Sequence, residues 1–132
     1  MITQDDVIYF IITDRFYGAD SSNNALVDRN EPLRYHGGDF AGIIEKIPYL
    51  KNLGITALWI TPVYLSVGRV GDSDGYHGYW ALDFNKVDPC LYSNDPDLAQ
   101  GSKEYLKRLS DKLHENGIKL ILDMVVNNTG YH

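Results

Sequence analysis

The chain has 132 residues, of which 44% are hydrophobic and 23% are charged, an ordinary composition for one globular domain. Its net charge of −6 argues against a nucleic-acid partner, because phosphate backbones attract clustered Lys and Arg. The single cysteine, Cys90, cannot form a disulfide within the chain, and a thiolate metal site would need further cysteines. No run has transmembrane length and no signal peptide is recognisable, so we expect no membrane partner and leave the location open.

The first half of the chain predicts a strand and a helix. The apolar run 7–12 is typical of a strand that is buried on both faces of a parallel sheet. The polar segment 13–39 follows and is longer than a simple connection. Apolar residues then recur at helical spacing over 40–50, and Gly54 ends the pattern. Pro48 lies inside this helix, where we expect it to kink the helix or to start a second turn.

The second half repeats this order. A second buried strand is predicted at 55–60, a second helix at 102–117 and a third strand at 118–126. Alternating strands and helices favour a parallel α/β sheet with right-handed crossovers. The long segments, 13–39 and 61–101, come after strands, whereas the connections after helices are short. Because active sites of α/β proteins lie at the carboxyl ends of the strands, we expect functional residues in these two segments.

Residues 75–80, Gly-Tyr-His-Gly-Tyr-Trp, are the most informative stretch of the chain. They combine flat apolar rings with hydrogen-bonding groups, which suits a sugar ring with its apolar C–H faces and its polar rim. A core strand could also hold aromatic side chains, but it would rarely include two glycines and a histidine. The run therefore predicts a sugar-binding platform.

A second polar cluster offers oxygen ligands for a metal. Asp, Ser and Asn are dense over 18–24, and Gly-Gly-Asp at 37–39 closes the segment. Carboxylates, amides and backbone carbonyls suit Ca²⁺ better than Zn²⁺. The spacing is not that of an EF-hand, and composition by itself favours a solvated loop of Asx turns over a calcium site.

Two further pairs of polar residues follow predicted strands. Asp123 and Asn127 lie where the third strand ends, so that one could face into a site while the other forms a turn. Asp14 and Arg15 follow the first strand, and we expect them to form an ion pair or to anchor a loop rather than to act as a catalytic dyad. The sequence contains no phosphate-binding glycine motif, no G-x-S-x-G elbow and no H-E-x-x-H helix.

Five segments together carry a family resemblance. They are 14–16, the Asp/Asn loop ending at 37–39, 53–62, 76–80 and 123–127. In order and spacing they resemble the N-terminal part of the catalytic domain in the α-amylase family, glycoside hydrolase family 13. Within that family, the Tyr-His-Gly-Tyr-Trp form and the Asp/Asn loop are similar to cyclomaltodextrin glucanotransferases and neopullulanase-like enzymes.

The resemblance implies a fold and an activity. The fold is an α/β partial (β/α)₈ TIM barrel, with the first three strands and two helices and with long loops after the strands. A whole barrel needs about 250 residues, so we expect residues 1–132 to be its N-terminal portion, ending in the loop after the third strand. The implied activity is that of a retaining glycoside hydrolase or transglycosylase on α-1,4-linked glucans such as starch, maltooligosaccharides or cyclodextrins.

The resemblance also assigns a sugar subsite. Tyr79 stacks on the sugar next to the cleaved bond, His77 hydrogen-bonds that sugar, and Trp80 supports the wall of the site. Asp123 shapes the base of the cleft. The family has a histidine where this chain has Asn128, whose amide can donate to a sugar hydroxyl but cannot carry a charge.

Calcium is the cofactor that the resemblance implies, at two sites. Asn127 is a ligand at the junction with a following loop domain. The residues that match a second site, in the N-terminal loop, are Asp20, Asn23, Asn24, Gly37 (through its carbonyl) and Asp39. Family members usually have Asp or Asn where Gly18 stands, so one side-chain ligand is missing and we expect a lower affinity.

No catalytic residue is expected in this chain. The family uses an Asp nucleophile and a Glu acid/base about 5 Å apart, and both come from later strands. We therefore expect the chain by itself to be inactive and, with unpaired strand edges and uncovered apolar faces, to self-associate. Two alternatives stay open: a non-catalytic amylase-like subunit, and a small stand-alone α/β carbohydrate-binding module.

Overall fold

A computed structural model describes residues 1–93, 102–127 and 130. Its first half contains strand β1 (Ile8–Ile11) and the helices α1 (Thr13–Phe16), α2 (Phe40–Glu45) and α3 (Ile47–Asn52). The strands that follow are β2 (Ala57–Ile60), β3 (Tyr64–Ser66), β4 (Arg69–Val70), β5 (Ser73–Asp74) and β6 (Ala81–Val87). Helix α4 (Ser102–Glu115) and strand β7 (Lys119–Leu122) come last. No helix among the described residues is long and apolar enough to cross a membrane.

Three parallel strands form the central sheet, in the order β1-β2-β7. Strand β2 pairs with both neighbours, and the register places Phe10, Trp59 and Ile121 side by side. The predicted alternation of strands and helices and the parallel sheet are therefore confirmed. The third strand is shorter than predicted, because pairing ends at Leu122 and the chain beyond it leaves the sheet.

The hydrophobic core lies between the sheet and the helices α2, α3 and α4. Successive side chains of a strand point to opposite faces of the sheet, and Leu58 and Ile60 of β2 are fully buried on the helix side. Truncating one of these side chains to Ala would cost about 2–5 kcal/mol. Core residues from both layers are Ile11, Phe40, Ile43, Leu50, Leu58, Ile60, Leu109 and Leu113.

The opposite face of the sheet is open. Ile8 and Phe10 of β1 are 47% and 43% exposed, and Trp59 of β2 is 39% exposed. The rings of Phe10 and Trp59 meet edge to face with their centroids 4.9 Å apart. The prediction that 7–12 is buried on both faces is therefore wrong, because an apolar run cannot tell whether one layer or two cover a strand.

The first predicted helix is divided into two. The carboxylate of Asp39 begins α2 by accepting the N–H of Gly42 at 2.6 Å, a side-chain N-cap. Helix α2 ends at Glu45 with Lys46 as its C-cap, and Pro48 lies in the first turn of α3. A proline is tolerated there because its missing N–H would have no partner within the helix. The predicted restart at Pro48 is confirmed.

The long segment after β2 has structure of its own. Strands β3 and β6 pair antiparallel, and β4 and β5 form a small hairpin that turns at Gly71, whose φ is 56°. Strands β3, β4 and β5 have only two or three residues, too short for an alternating pattern. Strand β6 has seven residues, but its buried and exposed side chains do not alternate, so the sequence predicts none of the four. The aromatic run 75–80 lies between β5 and β6.

Candidate functional site

The aromatic run lies close against the chain that leaves β2. A Cβ atom on Gly78 would lie 2.1 Å from the carbonyl oxygen of Pro62, and the φ of Gly78 is 78°, a value that glycine adopts without strain. A Cβ atom on Gly75 would lie equally close, 2.1 Å, to the carbonyl oxygen of Val67. Gly78 therefore places the rings at the carboxyl end of β2, and Gly75 brings the start of the run against the residue that follows β3.

Tyr79 and Asp123 meet although they are 44 positions apart. The Tyr79 hydroxyl donates to Oδ2 of Asp123 at 2.6 Å. Asp123 follows β7, and its N–H donates to the carbonyl of Ile60. Burial and the neighbouring carboxylate raise the pKa of Tyr79 to about 12, so the hydroxyl is a donor at neutral pH. The structure thus brings together two of the residues assigned to the sugar subsite.

His77 packs among aromatic neighbours. Its imidazole stacks on the ring of Tyr79 with the centroids 5.8 Å apart, and it meets the ring of Trp80 edge-on at 4.7 Å. Its Nδ1 accepts the backbone N–H of Tyr79 at 3.0 Å, which leaves the ring proton on Nε2. Burial and the positive charge of Arg15 lower the pKa of His77. The imidazole is therefore neutral at pH 7 and offers one N–H donor.

A buried ion pair stands behind these rings. The carboxylate of Asp14 accepts the backbone N–H groups of His36 at 2.9 Å and of Gly37 at 3.0 Å, and it pairs with Arg15. The guanidinium carbon of Arg15 lies 3.8 Å from the centroid of the Tyr76 ring. The predicted ion pair is confirmed. The sequence does not predict the contact between Arg15 and Tyr76, because it joins the end of β1 to a loop that is distant in the chain.

A second buried carboxylate anchors the hairpin that precedes the aromatic run. Asp74 accepts Nη1 of Arg34 at 3.1 Å, Nε of Arg69 at 3.0 Å and the N–H of Tyr35 at 3.2 Å. Burial by itself raises the pKa of Asp74, but these hydrogen bonds outweigh it and hold the pKa below its usual value. The hairpin is thereby tied to the 28–36 segment.

The candidate calcium loop folds around Asp39. This fully buried carboxylate accepts the N–H groups of Ala19 at 3.2 Å and Asp20 at 3.0 Å, and the side-chain amide of Asn23 at 3.2 Å. Asp20 in turn caps the 3₁₀ turn Ser21–Asn23. Both oxygens of Asp39 therefore already have protein donors, a structural role that the sequence did not indicate.

Two amide oxygens of this loop are left over. Oδ1 of Asn23 and Oδ1 of Asn24 are buried and have no hydrogen-bond partner within the described part of the chain. An unpaired buried oxygen costs about 1–3 kcal/mol. A Cβ atom on Gly37 would lie 2.5 Å from Oδ1 of Asn24, so this oxygen lies against the Gly37 backbone. Among the described residues no group of three or more His, Cys, Asp or Glu is placed to hold a metal. The groups here that suit a hard cation are the amide oxygens of Asn23 and Asn24 and the carbonyl of Gly37.

Gly18 has no room for a side chain. A Cβ atom at this position would lie 2.0 Å from the carbonyl oxygen of Gly37. The carbonyl occupies the volume that a ligating Asp or Asn would need. The conformation of the loop therefore excludes an Asp or Asn ligand at position 18.

Two predicted site residues stand apart from these groups. Asn127 is exposed in a turn beyond β7. In the sequence it lies 88 positions after Asp39. Asn128 lies outside the described residues, so its contact with a sugar stays a prediction.

The family can now be established by comparison. The family model described as "Alpha amylase, catalytic domain" matches residues 10–132. The chain belongs to the α-amylase family. Relatives of this α-amylase-family chain include a beta/alpha-amylase of Paenibacillus polymyxa, 41% identical over 127 residues that cover 93% of the chain and 10% of the relative. A cyclomaltodextrin glucanotransferase of Klebsiella oxytoca is 37% identical over 133 residues, which cover 94% of the chain and 19% of the relative.

Solved structures of the α-amylase family match the fold. An Anoxybacillus α-amylase superimposes with a TM-score of 0.83 at 43% identity, and the match covers 98% of this chain and 25% of that structure. The chain therefore forms part of a (β/α)₈ barrel, as the five segments predicted. It spans between a tenth and a quarter of the length of these three proteins.

Proposed function

We propose that this chain forms part of the sugar-binding wall of a glycoside hydrolase or transglycosylase that acts on α-1,4-linked glucans. The hydrogen bond between Tyr79 and Asp123 carries the proposal, because it joins the aromatic run to the end of β7. A solved relative supports the substrate class. The α-amylase of Geobacillus thermoleovorans, 40% identical with a TM-score of 0.78 over 98% of this chain and 24% of that structure, is complexed with acarbose.

Each side chain of the wall has its own role in this proposal. Tyr79 stacks on a glucose ring, and the hydrogen bond to Asp123 sets the plane of its own ring. Neutral His77 donates its Nε2 proton to a sugar hydroxyl. Trp80 supports the imidazole from the side. The remaining acceptor capacity of Asp123 receives a second hydroxyl.

The wall contains no catalytic dyad in this proposal. Retaining hydrolysis needs a nucleophilic carboxylate and an acid/base carboxyl about 5 Å apart. The buried carboxylates Asp14, Asp39 and Asp74 are each held by several protein donors. These contacts are typical of structural anchors, so we expect the dyad to come from other parts of the barrel.

Binding and activity assays test the proposal separately. We expect the 132-residue chain to bind maltohexaose with millimolar affinity, seen as NMR shifts of Tyr79 and Trp80, and to release no reducing sugar. Tyr79→Ala should remove these shifts, while Tyr49→Ala on α3 should not.

Unchanged spectra in saturating maltohexaose would reject the proposal that this chain forms a sugar-binding wall. Hydrolysis by the purified chain would reject the proposal that it lacks the catalytic dyad. Micromolar binding by a monomer would favour a stand-alone module. If a longer protein that contains this chain binds maltohexaose but never cleaves it, a non-catalytic subunit is favoured.

We also propose that the loop 18–39 binds Ca²⁺. The unpaired oxygens of Asn23 and Asn24 support this, since a hard cation would satisfy both. The carbonyl of Gly37 and the carboxylate of Asp20 complete the proposed ligand set. Asp39, which the resemblance assigns as a further ligand, already accepts four N–H groups, so in this proposal it holds the loop around the ion. When bound, the ion supplies positive charge that stabilises the loop. Asn127 belongs to a separate proposed calcium site.

We further propose that the isolated chain self-associates. Strands β1 and β7 each pair on one side only among the described residues. The open face of the sheet also exposes Ile8, Phe10 and Trp59. Unpaired strand edges and apolar patches both favour association. Light scattering between about 5 and 200 μM should show a rising mean mass, and a constant monomer mass would reject the proposal.

A further inference from the structure

We propose that Arg15 is a positioning residue for the sugar-facing imidazole of His77, acting through the ring of Tyr76. The inference rests on the proposed sugar-binding wall. It gives Arg15, which reaches His77 across the Tyr76 ring, a role beyond the ion pair with Asp14.

Arg15 is held on three sides. One guanidinium nitrogen pairs with the buried carboxylate of Asp14, and Nη2 donates to the carbonyl of Pro32 at 2.7 Å. The guanidinium lies over the Tyr76 ring, with its central carbon 3.8 Å from the centroid, a distance at which the two planar groups stack. A planar group that is fixed at both ends in this way also fixes the plane of the ring it covers.

The Tyr76 ring passes this constraint to His77. The two ring centroids are 5.2 Å apart with the planes at 74°, an edge-to-face contact. The imidazole is therefore bounded by Tyr76, Tyr79 and Trp80. Tilting Tyr76 would open one of these walls and allow the imidazole to rotate about its side-chain bonds.

Arg15 also acts on His77 by its charge. Among the described residues, the titratable side chains that contact the imidazole are Tyr76 and Tyr79, with Asp123 reached through the Tyr79 hydroxyl and Arg15 across the Tyr76 ring. Burial first, and then the charge of Arg15, lower the pKa of His77. This matters for geometry, because a protonated Nδ1 could no longer accept the N–H of Tyr79. The cation thus preserves the tautomer that points an N–H donor at the sugar.

The test measures the tautomer and the pKa of His77 by ¹⁵N NMR in the sugar-free 132-residue chain. We expect wild type to hold the Nε2–H tautomer with a pKa below that of an exposed histidine. Arg15→Gln, which removes the charge, should raise the pKa of His77 and mix the tautomers. Arg15→Lys, which keeps the charge but not the flat stack, should keep the pKa low and mix the tautomers.

A matched control separates positioning from general stability. Arg108→Gln removes another arginine that lies over a tyrosine ring, 5.7 Å from the Tyr105 centroid, and should leave His77 unchanged. If Arg15→Gln lowers only the melting temperature and leaves the tautomer and pKa of His77 as in wild type, the inference is overturned. If Arg15→Gln does not fold, an unchanged tautomer in Arg15→Lys overturns it equally.

A maltohexaose titration then separates the inference from the proposed function. We expect both Arg15 variants to bind about threefold to tenfold more weakly than wild type, the size of a lost cation–π contact and its consequences. If wild type ignores maltohexaose while His77 still responds to Arg15, the proposed function fails and the positioning relation stands. Equal affinity in wild type and both variants overturns the inference and leaves the proposed function intact.

Discussion

Tyr79→Phe removes one hydroxyl and with it the link between the aromatic run and β7. The lost hydrogen bond, 2.6 Å to a carboxylate, belongs to the class worth about 1.5–3 kcal/mol. Both residues are partly exposed, so water can reach the carboxylate and we take the lower end, about 1.5 kcal/mol. For 132 residues, an unfolding entropy of about 2.1 cal/mol/K per residue gives about 0.28 kcal/mol/K. The melting temperature should therefore fall by about 5 °C.

The assay is thermal unfolding followed by circular dichroism, at a concentration where light scattering shows a monomer. Tyr49→Phe is the matched control, since Tyr49 is an exposed tyrosine on α3, and it should melt as wild type does. Asp123→Asn should be less destabilising in the Tyr79→Phe background than in wild type, because the two changes remove one interaction. A melting point within 1 °C of wild type, or strictly additive effects of the two substitutions, would refute the reasoning.

The remaining predictions concern the loop, the metal and pH. Gly18→Ala should cost about 1–3 kcal/mol, because its Cβ would lie 2.0 Å from a backbone oxygen; Gly68→Ala, whose nearest atom is at 3.9 Å, should be neutral in the same melts. Ca²⁺ at a hundred times its Kd should add about 2.7 kcal/mol, an increment that Asn24→Ala abolishes; a melting point indifferent to Ca²⁺ would reject the site. Hydrogen bonds from Lys119 and Thr56 lower the pKa of Asp6. The stability they confer is therefore present above about pH 4 and is lost as the pH falls below it. Asp6→Asn should make the melting temperature less dependent on pH on the acid side. An unchanged dependence would contradict this.

The sequence predicted the elements of the sheet better than their surroundings. Apolar runs and helical spacing located β1, β2 and β7, and Pro48 marked the break between α2 and α3. These signals are local, because periodicity and turn residues act over a few positions. The exposure of Phe10 and Trp59 was not predictable in this way, since it depends on which layers pack against the finished sheet.

In the candidate site, too, the sequence predicted what depends on local residue types and not what depends on tertiary contacts. The residue types of the run 75–80 pointed to a sugar platform, because ring faces beside hydrogen-bonding groups suit a sugar, and the family resemblance then assigned Tyr79, His77 and Trp80 within it. Composition did not show that Asp39 is a saturated structural hub, or that a carbonyl blocks any side chain at Gly18. Both facts depend on loop paths, which a list of residues does not contain.

By itself the sequence determined the order of the three parallel strands and of the helices between them, the chemistry of the aromatic run and the family, because each of these lies in local patterns or in their spacing. Only the tertiary structure decided that Tyr79 donates to Asp123 and that Arg15 covers Tyr76. Both contacts join residues far apart in the chain. Their geometry is set by the parallel register of β1, β2 and β7 together with the close passage of Gly78 against the chain leaving β2.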